Sequence, residues 1–200
     1  MGRKAIFFIM EWIWRLSWVN CLWLLFSVPI ITIIPSTFAM YSVMMQLVKG
    51  EEDIDILPAF LKAFKKYLIK SFSLGITLAL IGVFLYTDLM ILKDQTENIM
   101  LILRYSIMIL SVLFMPIAFY SISVFVEYET SWFKALSLAF ILVMKRPFMV
   151  LIIVCGIVGS FVLFLFSTGI GILFFGSLCA LFTTKGVVSG LEKGSIEYYF

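Results

Sequence analysis

The chain has 200 residues, 63% hydrophobic and only 14% charged, with a net charge of +3 and a mean hydropathy of +1.13. A soluble domain is about 45–50% apolar and about 25% charged, so these proportions exclude one and point to a single membrane domain over residues 1–200. Histidine is absent, which removes the commonest general base and metal ligand. Cys21, Cys155 and Cys179 stand alone in apolar stretches, so neither a metal nor a redox pair is expected.

The expected fold is all-α: a polytopic membrane protein with six membrane segments and two cytoplasmic-face interfacial helices. The first segment is placed at about 5–28. Arg3 and Lys4 precede it, but the apolar run is too long for a signal peptide and no small-residue cleavage site follows. Ile6 stands where a myristoylation signal needs Ser or Thr. Trp12, Trp14, Trp18 and Trp23 crowd the segment, and Trp favours the headgroup level. Glu11 and Arg15 are spaced to pair along a helix; they are either a functional pair or an interfacial one, with the span starting near Leu16.

Residues 16–48 would make one helix about 50 Å long, against a hydrocarbon core of about 30 Å. The stretch Val28-Pro29-Ile30-Ile31-Thr32-Ile33-Ile34-Pro35 should break it, because each proline lacks an N–H and clashes with the preceding turn. Pro35 suits the first turn of a second segment at about 35–48, which at about 21 Å is short for a crossing. Gly50 should end that helix, and an acidic stretch leads into the next.

An amphipathic helix is expected at about 56–70, with Leu57, Phe60, Leu61, Phe64 and Leu68 on its stripe. Lys62, Lys65 and Lys66 lie off the stripe and Lys70 follows, the pattern of a basic helix on an anionic membrane face. The same lysines also serve as a plain positive-inside signal. Further membrane segments are placed at about 71–92, 99–126, 148–166 and 172–184. Pro116 lies within the fourth segment. The second interfacial helix, at about 132–146, starts after Thr130 and Ser131 and ends in Lys145 and Arg146.

Residues 57–76 align with 133–152, matching Ala59 to Ala135, Ala63 to Ala139, Phe64 to Phe140, Phe72 to Phe148 and Ile76 to Ile152. Lys70 meets Arg146. One reading is a parallel internal repeat, each unit an amphipathic helix feeding a membrane hairpin; the other is two similar juxtamembrane helices.

Charge counting orients the segments. If the proline break reverses the chain, both termini and thirteen Lys and Arg face one side, leaving Lys93 and Arg104 on the other. Without the reversal, the best arrangement gives ten against five. The positive-inside rule therefore places both termini in the cytoplasm and the proline break on the outer side.

Asn20, Pro29, Thr32, Pro35 and Ser36 form the candidate site. Broken helices at membrane depth serve transporters as ligand sites, so one reading is a small-solute transporter or channel. The preferred reading is packing, with hydroxyls satisfying the freed backbone and Asn20 bonding across helices. Gly156 with Ser160, Ser167 with Gly171, and Gly176 with Ala180 are read as small pairs that let helices pack closely. No catalytic constellation, cofactor motif, zinc spacing or nucleic-acid stripe is present.

The run Asn20-x-x-Trp23, Pro29-x-x-Thr32-x-x-Pro35-x-x-x-Ala39, Gly50-Glu51-Glu52 and Ala59-Phe60-x-x-Ala63-Phe64 resembles the YesL-like family of bacterial membrane proteins. The resemblance covers essentially the whole chain, and it brings no catalytic residue, because the family is a domain of unknown function. It implies a genomic neighbourhood of carbohydrate-uptake ABC transporters and sugar-responsive sensor kinases. The expected function is a non-enzymatic accessory of the bacterial cell membrane, with an anionic cytoplasmic leaflet and ABC permeases or a sensor kinase as partners.

Overall fold

Helical periodicity becomes helix throughout the computed structural model, which describes residues 2–51, 54–95, 97–145, 147–166 and 168–192. Among the described residues there are seven α-helices and no strand: α1 (Gly2–Ser27), α2 (Ile33–Val48), α3 (Ile56–Ile91), α4 (Asn98–Tyr128), α5 (Trp132–Lys145), α6 (Pro147–Phe166) and α7 (Thr168–Glu192). Among the described residues, four stretches are long and apolar enough to cross a membrane: Ile30–Val48, Ile56–Ile91, Asn98–Tyr128 and Gly171–Ser189. α1, the expected first crossing, is not among them.

α2 is the centre of the packing. It touches α1, α3, α4 and α7, and ten of its sixteen residues are buried, among them Phe38, Tyr41 and Met44. Phe38 meets Phe125 of α4 edge-on with ring centroids 5.3 Å apart, and Tyr67 of α3 at 6.1 Å. This short segment thus spends its apolar surface on protein neighbours.

The chain reverses between α1 and α2. α1 stops at Ser27, a single 3-10 turn follows at Ile30–Thr32, and Pro35 falls in the first turn of α2, where its missing N–H leaves no gap. Trp23 faces Thr37 and Ser27 faces Ser36, so the two helices run antiparallel. Gly50 ends the α2 turn at φ +89°, a left-handed conformation that suits glycine.

The expected boundary between 56–70 and 71–92 does not exist. α3 is one helix of 36 residues, about 54 Å long. Its buried residues Phe60, Ala63, Tyr67, Ser71 and Leu74 step by three or four straight through the junction, so one stripe serves both halves. Nor does the lysine half lie across the end of α2. It runs antiparallel beside it: Ser42 and Gln46 of α2 share a cleft with Lys62 and Lys66, Phe38 lies by Tyr67, and Ile34 occupies the space a side chain at Gly75 would need. In the second unit the described residues give α5 up to Lys145 and α6 from Pro147. Arg146 lies outside the described residues.

The gap expected between the segments ending at 166 and starting at 172 is helical from 168 to 171. α7 starts at Thr168, takes in Gly169 and Gly171, and runs to Glu192, well past the expected end at Thr184. Ser167 is outside the described residues. Gly156 of α6 packs directly on the Phe182 ring, where a methyl group would collide, so the small residue lets α6 and α7 approach.

Candidate functional site

Each polar group at the proline break has a partner within the protein. The Thr32 hydroxyl donates to the carbonyls of Phe26 and Pro29, at 2.6 and 2.7 Å. The Phe26 carbonyl is one that the end of α1 leaves without a helical partner, and the Pro29 carbonyl also accepts the Thr32 backbone N–H at 2.8 Å. Ser36 Oγ lies 2.8 Å from Ser27 Oγ and 2.5 Å from the Thr32 carbonyl, and Thr37 Oγ1 accepts from the Trp23 indole N–H at 3.0 Å. Pro35 and Ser36 are buried. Pro29 is exposed, as are Val28, Ile30 and Ile31, each more than 70%. The break is therefore a polar knot beneath an apolar tip.

Asn20 leaves this group for α7. Its amide N–H donates to the Ile172 carbonyl at 2.5 Å, and its Oδ1 accepts the Ser177 backbone N–H at 3.1 Å. One side chain thus clamps two backbone groups of a helix more than 150 residues away in sequence. Gly176 makes this possible, because a Cβ there would lie 2.7 Å from Asn20 Oδ1. Asn20 is fully buried, so this pairing offsets the cost of placing an amide in an apolar core. Tyr41 follows the same logic, its hydroxyl accepting from Thr183 Oγ1 at 3.3 Å.

The basic residues form a second group. Lys62, Lys66 and Lys70 recur every fourth residue, so they stand in one row on α3. Lys66 pairs with Glu129, and Lys49 Nζ reaches Glu127 Oε1 at 2.6 Å. Glu129 caps α4 with φ +48°, left-handed and unusual for glutamate. The hydrogen bond from Lys66, helped by the charge of nearby Lys70, holds the Glu129 carboxyl below its ordinary range. A cleft of about 390 Å³ is lined by Ser42, Gln46, Lys62 and Lys66; another of about 400 Å³ is lined by Tyr67, Lys70, Ser73, Glu129 and Trp132. Lys65 is exposed, and Lys145 closes the last turn of α5, where a cation complements the helix dipole.

The acidic partners Glu127 and Glu129 carry no spacing signal that ties them to lysines over sixty positions away. The clamp on Ile172 and Ser177 is equally invisible along the chain, since backbone groups have no sequence signature. The two candidate groups stay separate: the break knots α1 to α2, and the lysine row faces α2 and the α4–α5 corner.

Comparison with known proteins gives one consistent result. The family described as "Protein of unknown function, DUF624" matches residues 16–89. The chain is 30% identical over 177 residues to "Uncharacterized protein YesL" of Bacillus subtilis (strain 168), covering 87% of this chain and 83% of that protein. It is 33% identical over 152 residues to "Uncharacterized protein YteU" of the same organism, covering 74% and 66%. It is 25% identical over 191 residues to "Uncharacterized protein YesV", covering 92% and 90%. No solved structure matches the chain.

Proposed function

From the premise that this chain belongs to the YesL-like family of bacterial proteins of unknown function, we propose a non-enzymatic membrane accessory that works by contact with other membrane proteins. Its partners are the permeases of a carbohydrate-uptake ABC transporter or a sugar-sensing kinase, the systems that the family resemblance implies. The observation that carries the reading is the self-satisfied break. Thr32, Ser36, Thr37 and Asn20 all spend their hydrogen bonds on the protein, which supports an architectural role over a solute site. A broad apolar surface is left for contact: Leu80, Val83, Phe84 and Ile91 of α3 and Ile99 and Ile102 of α4 are all exposed.

In this reading the termini and the lysine row lie on the cytoplasmic side, against the anionic leaflet, as the excess of Lys and Arg there favours. The six-segment arrangement needs α1 to cross despite Glu11, Arg15 and its four tryptophans, and α2 to cross although its register beside α3 sets Ser42 and Gln46 level with Lys62 and Lys66 and Ile34 level with Gly75. A cysteine near Arg3 should be shielded from an impermeant thiol reagent in intact cells, and labelling there would refute this orientation. The functional test is co-purification in mild detergent from cells grown on a glycan that induces the system. A permease or sensor kinase should be recovered with the protein; recovery of neither refutes the accessory role.

A further inference from the structure

The cleft beside Lys70 joins features found together nowhere else among the described residues. α3 is about 54 Å long, so about 24 Å of it must lie beyond a hydrocarbon core of about 30 Å. The lysines identify that part as residues 56–70, which leaves the apolar residues 71–91, about 31 Å, to cross. Lys70 and Ser73 straddle the boundary, and the cleft lies against both. Its lining includes the aromatic residues Tyr67, Phe125 and Trp132, and tryptophan is a residue of the headgroup level. Lys70, Ser73 and Thr130 line it as well.

Charge in the cleft is arranged asymmetrically. Glu129 is its one carboxylate and is tied to Lys66 from outside the cleft wall, so two ammonium groups face a single anion. Lys70 has no carboxylate within ion-pair distance among the described residues. Thr130 and Trp132 bring the start of α5, the positive end of a fourteen-residue helix, to the same cleft. A volume of about 400 Å³ suits a headgroup and is too small for a protein segment.

We infer that this cleft is a binding site for a phosphate ester, with Lys70 as its main cation and Trp132 packing on the group that carries it. At this depth the natural source is the headgroup of an anionic phospholipid; a soluble glycerol phosphate presents the same chemistry. The inference rests on the reading that the lysine half of α3 lies at a membrane surface, and it does not depend on any protein partner.

The test is native mass spectrometry of the full chain in detergent, titrated with phosphatidylglycerol, with phosphatidylcholine, or with sn-glycerol 3-phosphate. One phosphatidylglycerol should be retained in preference to phosphatidylcholine, and Lys70→Gln should weaken its retention about tenfold. Lys65→Gln removes an equal charge outside the cleft and should leave retention unchanged. Because Lys70 is exposed, its variant is expected to fold, and an unchanged melting temperature checks that. Lys70-dependent binding of glycerol phosphate without the lipid preference assigns the site to a soluble ester. Equal effects of Lys65→Gln and Lys70→Gln, or neither a preference between the two lipids nor Lys70-dependent binding of glycerol phosphate, overturn the inference. Cysteine labelling at Asp94, in the α3–α4 loop, tests the membrane-surface premise separately.

Discussion

Residues 57–76 and 133–152 share a plan on paper and use it in opposite ways. In the first unit the row at 62, 66 and 67 is Lys62, Lys66 and Tyr67; at the matching positions of the second stand Leu138, Leu142 and Val143. The lysines point outward, while Leu138, Leu142 and Val143 are buried in the core. The first helix continues past its junction, where Ser71 prolongs the buried stripe; in the second unit Pro147 stands at the position matching Ser71. A change of polarity along one row separates a charged face from a packed one. Similar spacing of aromatic and small residues is therefore compatible with two different jobs.

The sharpest way to break this contrast is to exchange the junction residues. Ser71→Pro removes an interior backbone hydrogen bond and clashes with the turn before it, and should destabilise the protein by about 3 kcal/mol. Pro147→Ser, at a helix start, should change stability by less than about 1 kcal/mol. Thermal melting of the detergent-purified variants compares them directly, and equal losses would remove proline as the cause. Gly75→Leu comes next. The added side chain must displace Ile34, so we expect a loss of about 2 kcal/mol. Its counterpart Leu151 is exposed, and Leu151→Ala should be close to silent.

The return helices are fastened differently too. α4 is held by the Tyr67 hydroxyl, which donates to the Val126 carbonyl at 3.3 Å, and by the Lys66–Glu129 pair. α7 is held by the Asn20 clamp. Asn20→Leu should cost about 1–2 kcal/mol and raise amide hydrogen exchange around Ser177, while exchange at the α4 end stays unchanged. An effect spread evenly over both helices would show that the clamp is not local. The smallest effect concerns Glu129. Its carboxyl is held below its unfolded value by Lys66, so its contribution is present above the ordinary carboxylate range and is lost as pH falls through the depressed folded value. The pair is exposed, so the contribution should be about 0–1 kcal/mol, and Glu129→Gln should abolish that part of the acid dependence of melting.

Much of the candidate site could be read from residue types. An asparagine in an apolar helix needs a partner, and hydroxyls next to a proline break need carbonyls. Those needs are local and chemical, so Asn20, Thr32 and Ser36 stand out in the chain. That Asn20 reaches the backbone of α7, and that Gly176 is vacant of side chain to admit it, depends on two helices meeting across most of the chain. The lysine row was equally visible; its acidic partner at a left-handed residue was not, because that conformation is imposed by the α4–α5 corner.

Composition and local residue types already settle the solvent and the class of structure: these proportions cannot clothe a soluble domain, and Gly50, which acts on the nearest turn, ends α2. They also settle the family, through residues around the break. Only the tertiary structure decided which apolar faces meet protein, because burial depends on partners distant in the chain. It made the short α2 the core, fused the lysine helix to the apolar helix after it, and closed the polar break upon itself.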